Sequence, residues 1–253
     1  MKTTAFALSA TALANAAAIR RQNDYGYQFS NALSTGPVAT NSFIREANTT
    51  LILPDTNSPQ TGNLALWPGM GTSGGDLIQG LAISVSDGSA GCKKSSGKWC
   101  IVASSLQEDT QEMGKYVTAS PGSSVTFHCE FHLFHSVGFL TGHVTNLSCR
   151  SDKYNDATAK YDQDVSLDGT VVSTISTDSG KAQGWGTAIE CQQAACGTVP
   201  AHKYVDTKLM MDVADPDYIQ TKGVTGASGD MVTADGGKTW TIETINIDSF
   251  TYT

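Results

Sequence analysis

Val165-Ser166-Leu167-Asp168-Gly169-Thr170-Val171-Val172-Ser173-Thr174-Ile175 reads as a β-hairpin. Asp-Gly tolerates the two positive φ angles of a tight two-residue turn, and apolar or β-branched residues stand on both sides of it. The same pattern recurs outward in both directions. Short apolar or β-branched runs are separated by turn chemistry such as Pro54-Asp55-Thr56-Asn57, Pro121-Gly122 and Asp235-Gly236-Gly237, with almost no helical periodicity. Strands are expected over 42–52, 64–70, 77–85, 99–106, 124–134, 138–147, 165–167, 171–175, 186–192, 208–213 and 238–253. No internal repeat, long linker or mid-chain shift in composition divides them. The expected fold is all-β: a single antiparallel β-sandwich or jelly roll, concanavalin-like, over 41–253.

Composition bounds the function. Of 253 residues only 16% are charged, and 24 acidic against 16 basic side chains leave a net charge of −8. Nothing in that balance offers a basic surface to nucleic acid or anionic lipid, so neither is an expected partner. Met1-Lys2, the apolar stretch 5–13 and the small residues Ala14-Asn15-Ala16 or Ala16-Ala17-Ala18 read as a secretory signal over 1–18, followed by a leader over 19–40 that holds the dibasic pair Arg20-Arg21. No stretch approaches the roughly 20 apolar residues of a membrane span. The expected location is the secretory pathway or the extracellular space.

The six cysteines suit an oxidising compartment. Six allow 15 pairings. Local spacing favours Cys92 with Cys100 across a turn-like run and Cys191 with Cys196 around a short loop, leaving Cys129 and Cys149 to each other. A zinc site is the competing reading, without a CxxC pair to support it. Asn48-Thr49-Thr50 and Asn146-Leu147-Ser148 are glycosylation sequons.

The run 124–135 holds the densest chemistry. At period two, Val125, Phe127, Cys129, Phe131 and Leu133 share one face, and Thr126, His128, Glu130 and His132 the other. A row of His128, Glu130 and His132 can form a groove with a proton donor and acceptor, because a carboxylate beside imidazole raises and orients it. It can also bind a metal, or simply be a solvated face. Gln79 and Glu190 interrupt otherwise apolar strands. A buried amide or carboxylate costs a few kcal/mol unless it is hydrogen-bonded, so each either pairs or faces a wet groove.

Leu64-Ala65-Leu66-Trp67-Pro68-Gly69-Met70, then Leu77-Ile78-Gln79-Gly80, and later Ala188-Ile189-Glu190 together resemble the skeleton of the fungal glutamic peptidases. Those are secreted lectin-like sandwiches that pair a Gln with a Glu. The resemblance implies Glu190 as general acid/base and Gln79 as the residue that positions water and stabilises the oxyanion. The peptidases' Asn-Trp-Ala-Gly segment has no counterpart in Pro37-Val38-Ala39-Thr40-Asn41-Ser42-Phe43, nor has their Tyr- and Trp-rich substrate strand.

A second resemblance rests on the signal, the length, the Trp67–Thr72 and Gly74–Gln79 runs and the cysteines. In these the chain is similar to a small group of fungal secretory-pathway proteins that includes hetero-Diels-Alderases of tropolonic sesquiterpene biosynthesis. It implies a cyclase that joins a tropolone o-quinone methide to a humulene-type sesquiterpene, using small hydrophobic substrates and no metal or organic cofactor. His128 or His132, tuned by Glu130, would then be the general acid. Gln79 or Glu190 would hold the tropolone, and Trp67, Phe134 and Trp185 would supply stacking surface. A glutamic-peptidase-like acid hydrolase and a non-catalytic glycan-binding sandwich are the alternatives. Gly71-Thr72-Ser73-Gly74-Gly75 matches the letters of a nucleophile elbow, but a strand rather than a helix is expected after it. Asp212, Asp215 and Asp217 are spaced like a calcium loop that lacks its closing Glu.

Overall fold

The computed structural model describes residues 27–86, 91–92, 97–108, 110–127, 153–155, 160–192 and 195–253. The strands of its first half are β1 (Gln28–Thr35), β2 (Ile44–Ile52), β3 (Leu64–Thr72), β4 (Leu77–Ser84), β5 (Trp99–Gln107), β6 (Thr110–Met113), β7 (Val117–Ala119) and β8 (Ser124–Phe127). There follow β9 (Lys153–Asn155), β10 (Lys160–Leu167), β11 (Thr170–Thr177), β12 (Ala182–Cys191), β13 (Gly197–Val199) and β14 (His202–Met211). The chain ends with β15 (Gly223–Thr225), β16 (Ala227–Ser228), β17 (Met231–Val232), β18 (Thr239–Ile247) and β19 (Phe250–Tyr252). A single 3₁₀ turn, Tyr218–Thr221, is the one helical element among the described residues. No helix there is long and apolar enough to cross a membrane.

Antiparallel pairing builds two layers. Sheet one runs β15-β1-β12-β3-β4-β5, with β6 and β7 sharing the far edge of β5. Sheet two runs β18-β14-β2-β8-β10-β11, with β16 and β17 on the far edge of β18. One corner pair, Ala182 opposite Ile44, joins them. The expected sandwich is therefore the observed fold. At the Asp168-Gly169 turn both φ angles are positive, +47° and +82°, as the two-residue hairpin requires, and Leu167 pairs with Thr170.

The chain enters the sandwich earlier than the sequence suggested. β1 lies inside the stretch read as a leader over 19–40, and it pairs with β12 on one side and β15 on the other. Its register shifts between Phe29 and Ala32, which breaks the two-residue alternation that would have marked it as a strand. Two of the expected disulfides are present, Cys92–Cys100 and Cys191–Cys196. Cys129 and Cys149 lie outside the described residues. So do Asn146 and the strand expected over 138–147. Asn48 sits half-buried in the middle of β2, opposite Lys208 of β14.

Alternation sorts the side chains of sheet one. Leu64, Leu66, Met70, Ile78, Ala82, Trp99, Ile101, Ala103, Trp185 and Ile189 point into the core between the sheets, where they meet Leu51, Val125, Phe127, Tyr161 and Tyr204 of sheet two. The odd neighbours on β3 and β4 and the even ones on β5 and β12 point the other way, onto a second buried apolar layer. The two sheets interlock tightly at Gly80 of β4, where an added Cβ would lie 1.9 Å from the Phe127 ring of β8. Polar stitches close one side of the sandwich, where the Ser173 hydroxyl accepts from the Ala103 amide at 3.0 Å and Gln163 donates to the Ser104 carbonyl at 3.1 Å.

His202 opens β14 and is buried at the edge of sheet two. Burial pushes its imidazole down from the ordinary 6.5 to about 4, against the upward pull of its hydrogen bond with the Pro200 carbonyl. The folded value lies below the unfolded one, so as pH falls the unfolded chain takes up this proton first. Stability that is complete above pH 6.5 is lost as pH falls towards 4, by about 3 kcal/mol from this group. Urea unfolding across pH 7 to 4 should show that loss, and His202→Gln should flatten it. For the interlock, Gly80→Ala should destabilise by about 1–3 kcal/mol through overpacking, with Gly80→Ala/Phe127→Leu recovering part of the loss in the same assay.

Candidate functional site

The outer face of sheet one, away from the inter-sheet core, gathers the unusual polar groups. Its side chains are Ala65, Trp67, Gly69 and Gly71 of β3, Leu77, Gln79, Leu81 and Ile83 of β4, Cys100, Val102, Ser104 and Leu106 of β5, and Gly184, Gly186, Ala188 and Glu190 of β12. Phe29 of β1 stands opposite Glu190. Met113 and Tyr116 pack on from the β6–β7 side. Each of the four central strands is buried on both faces, which explains their near-continuous apolar sequences.

Glu190 has no solvent exposure, yet it is well held. Trp67 Nε1 donates to its Oε2 at 3.1 Å, and Gln192 Nε2 donates to its Oε1 at 3.0 Å. Phe29 meets the Trp67 ring edge-on, with centroids 6.4 Å apart and planes at 88°. The C-terminal strand reaches the same end. The Tyr252 hydroxyl lies 2.9 Å from Ser30 Oγ and 3.3 Å from the Ile189 carbonyl that it donates to. Burial pushes this phenol up to about 12, the Ser30 hydrogen bond opposes the rise, and the charge of Glu190 adds to it.

Gln79 is the opposite case. It too is fully buried, but neither its Oε1 nor its Nε2 has a hydrogen-bond partner among the described residues. Its register row runs from Gly186 of β12 through Gly69 of β3 and Gln79 to Ser104 of β5 and Met113 of β6. The row of Glu190 runs through Ala65 to Ile83 and Cys100. Gln79 and Glu190 therefore share a face, but they stand two strands and four register positions apart. At the usual strand rise and spacing that is roughly 13 Å along the strands and 10 Å across them. Trp67, Leu81 and Ala188 fill the diagonal between them.

The remaining expected site residues divide cleanly. Trp67, expected as stacking surface, stands on this face with its indole bonded to Glu190. Trp185 is not on this face: five positions from Glu190 on the same strand, it has the opposite parity and packs in the inter-sheet core at 1% exposure. His128, Glu130, His132 and Phe134 lie outside the described residues. Phe29 and Gln192 belong to the Glu190 cluster and were not anticipated. Phe29 comes from a strand whose alternation is broken, and Gln192 lies just past the end of its own. Ser73 falls in the turn between β3 and β4, so no strand-to-helix elbow forms there. The Asp215 carboxylate accepts the Ala39 amide at 2.7 Å, a structural role. Among the described residues no cluster of metal-ligating side chains forms. A recess of about 360 Å³ lined by Ile52, Pro54, His202, Lys203 and Asn246 opens at the edge of sheet two, on other elements than the outer face of sheet one.

No family model matches the chain, and no curated protein matches it in sequence. Among solved structures it is similar to scytalido-glutamic peptidase, crystallised with a peptide-based transition state analogue. The likeness covers 85% of this chain and 99% of that one, at 13% identity and a TM-score of 0.43. It is too remote to transfer any residue's role.

Trp67→Phe keeps the ring and removes one donor from a buried carboxylate. It should lower stability to urea by about 1.5–3 kcal/mol, the usual worth of a hydrogen bond to a charged group. An unchanged unfolding midpoint would show that the Trp67–Glu190 bond is not formed in solution.

Proposed function

We propose that this chain is a cofactor-independent cyclase that joins a tropolone o-quinone methide to a humulene-type sesquiterpene on the outer face of sheet one. The observation that carries the reading is the separation of Gln79 from Glu190. Two polar side chains that must activate one water have to converge within hydrogen-bond reach of it. Here they stand at opposite ends of an apolar diagonal, an arrangement suited to two substrates lying end to end with a greasy contact between them.

The reaction asks for no electrons from outside. A hydroxymethyl tropolone loses its side-chain hydroxyl and its ring hydroxyl proton as one water, which leaves the o-quinone methide. The exocyclic carbon and the ring oxygen of that species then add across one alkene of the sesquiterpene, forming the C–C and C–O bonds of a dihydropyran. Holding two partners face to face can supply several kcal/mol of such a barrier. Trp67, Leu81 and Ala188 would provide the surface for the contact. Glu190, with a donor on each oxygen, is fixed as a hydrogen-bond acceptor at one end. The proton transfers of the dehydration belong, in this proposal, to His128 or His132 with Glu130.

An acid hydrolase using Gln79 and Glu190 is the second reading, favoured by their common face. One set of assays separates the readings. With a hydroxymethyl tropolone and humulenol, the wild-type protein should accelerate adduct formation and enrich one stereoisomer, unaffected by chelator, and Glu190→Gln should slow it at least tenfold. Rate and stereochemistry equal to those in buffer reject the cyclase. Cleavage of a denatured protein between about pH 2 and 6 that Glu190→Gln abolishes would establish the hydrolase, and glycan binding with neither activity a lectin.

A further inference from the structure

We propose that Gln79 is the specificity-determining residue for the oxygenated partner, its amide pairing edge to edge with a hydroxyl beside a carbonyl on a planar, uncharged ligand. The inference rests on the cyclase reading for the identity of that ligand, and on the structure for everything else.

A primary amide presents one acceptor and one donor side by side. In Gln79 both are buried and both lack a partner among the described residues. Most buried polar groups are satisfied, and one left bare at both atoms marks a place that something else completes. The complement is an edge with one donor next to one acceptor. A hydroxyl adjacent to a carbonyl has this form, with the O–H donating to Oε1 and the C=O accepting from Nε2.

The surroundings narrow the ligand further. The side chains that flank Gln79 on this face are Leu77, Leu81, Val102, Ser104, Leu106 and Met113, none of them charged. Ser104 Oγ is already engaged by Gln111 Nε2 at 3.0 Å. Among the described residues no cation flanks Gln79, so a carboxylate or phosphate pressed against this amide would lose hydration without a counter-charge from these strands, and a neutral edge is favoured.

Beside Gln79 the wall is bare backbone. Gly69 and Gly71 of β3 pair with Gly186 and Gly184 of β12, making a two-by-two block of glycines. A Cβ on Gly69 would come within 2.7 Å of the Ile78 carbonyl, one on Gly184 within 2.6 Å of the Thr35 carbonyl and one on Gly186 within 2.9 Å of the Leu33 carbonyl. These strands thus approach too closely for any side chain, so the flank of Gln79 on the β3 side is backbone rather than side chain. The hydroxy-ketone ring would lie at this end, and the alkene partner would lie towards Trp67.

The test reads equilibrium binding without turnover. Tropolone, tropone and 2-methoxytropone are titrated separately against the full chain, at a pH where tropolone keeps its hydroxyl proton, by calorimetry or tryptophan fluorescence. Wild-type protein should bind tropolone at least tenfold more tightly than either analogue. Gln79→Met should lose that preference while unfolding at no lower temperature than wild type, since it removes two unsatisfied polar atoms. Equal affinities for the three probes in wild type, no binding of tropolone at all, or a preference that survives in Gln79→Met would each overturn the inference. The wild-type comparison decides even if the variant fails to fold. A tropolone preference without adduct formation would leave this inference standing and remove the cyclase. Adduct formation without the preference would do the reverse.

Discussion

Sheet one is buried on both of its faces, and that constraint governs the rest of the molecule. In β3, β4 and β12 every position but Gln183 is buried, so no strand there can spend alternate residues on solvent as an antiparallel sheet usually does. Any polar atom placed on them must find a partner inside the protein or carry a penalty of a few kcal/mol. Glu190 meets the demand through Trp67 and Gln192. Gln79 does not meet it. Identical burial with opposite satisfaction separates a group whose bonds are met within the fold from one whose bonds are not.

The second layer makes that burial possible. Phe127 of sheet two inserts against the bare backbone of Gly80, so the sheets approach closely just one residue from Gln79. Tyr161 ties the corner, donating to the Ile44 carbonyl at 2.7 Å while it accepts the Ala182 amide at 2.9 Å, where the two sheets join. Because β4 is pinned from behind, Gln79 cannot escape its penalty by turning into the core. The packing of one face thus fixes the chemistry of the other.

How much of this was legible in the sequence depended on whether a feature is local. The hairpin at Asp168-Gly169 was legible, because turn geometry is set by two residues. So were β3, β4 and β5, as compact apolar runs bounded by Gly and Ser. β1 was not: a bulge between Phe29 and Ala32 breaks its alternation, and its place is fixed by partners about 160 and 190 residues away. Gln79 and Glu190 stood out because each is a polar letter in an apolar run. Trp185 was misassigned to their surface, although counting back from Glu190 in steps of two already places it on the opposite face. The distance between Gln79 and Glu190 could not be read at all, since it is set by the registers of β4 and of the sequence-distant β12 on either side of β3.

That register changes the chemical meaning of the pair. The residues that share a row with Gln79 are glycines and Ser104, and those that share a row with Glu190 are Ala65, Ile83 and Cys100. Each polar group therefore has its own surroundings: a flat, uncharged backbone wall around Gln79, and an aromatic corner of Trp67 and Phe29 around Glu190. Had the β3–β4 hairpin been offset by four residues, Gln79 would have stood in the row of Glu190, and one water could have bridged them. As paired, they stand as two unlike polar groups at the ends of one apolar strip. In the proposed reading, a strip with different ends takes a pair of ligands with different ends. The proposed substrates meet that condition: one is a planar oxygenated ring, the other is almost wholly hydrocarbon, and the bonds that join them form where the two meet.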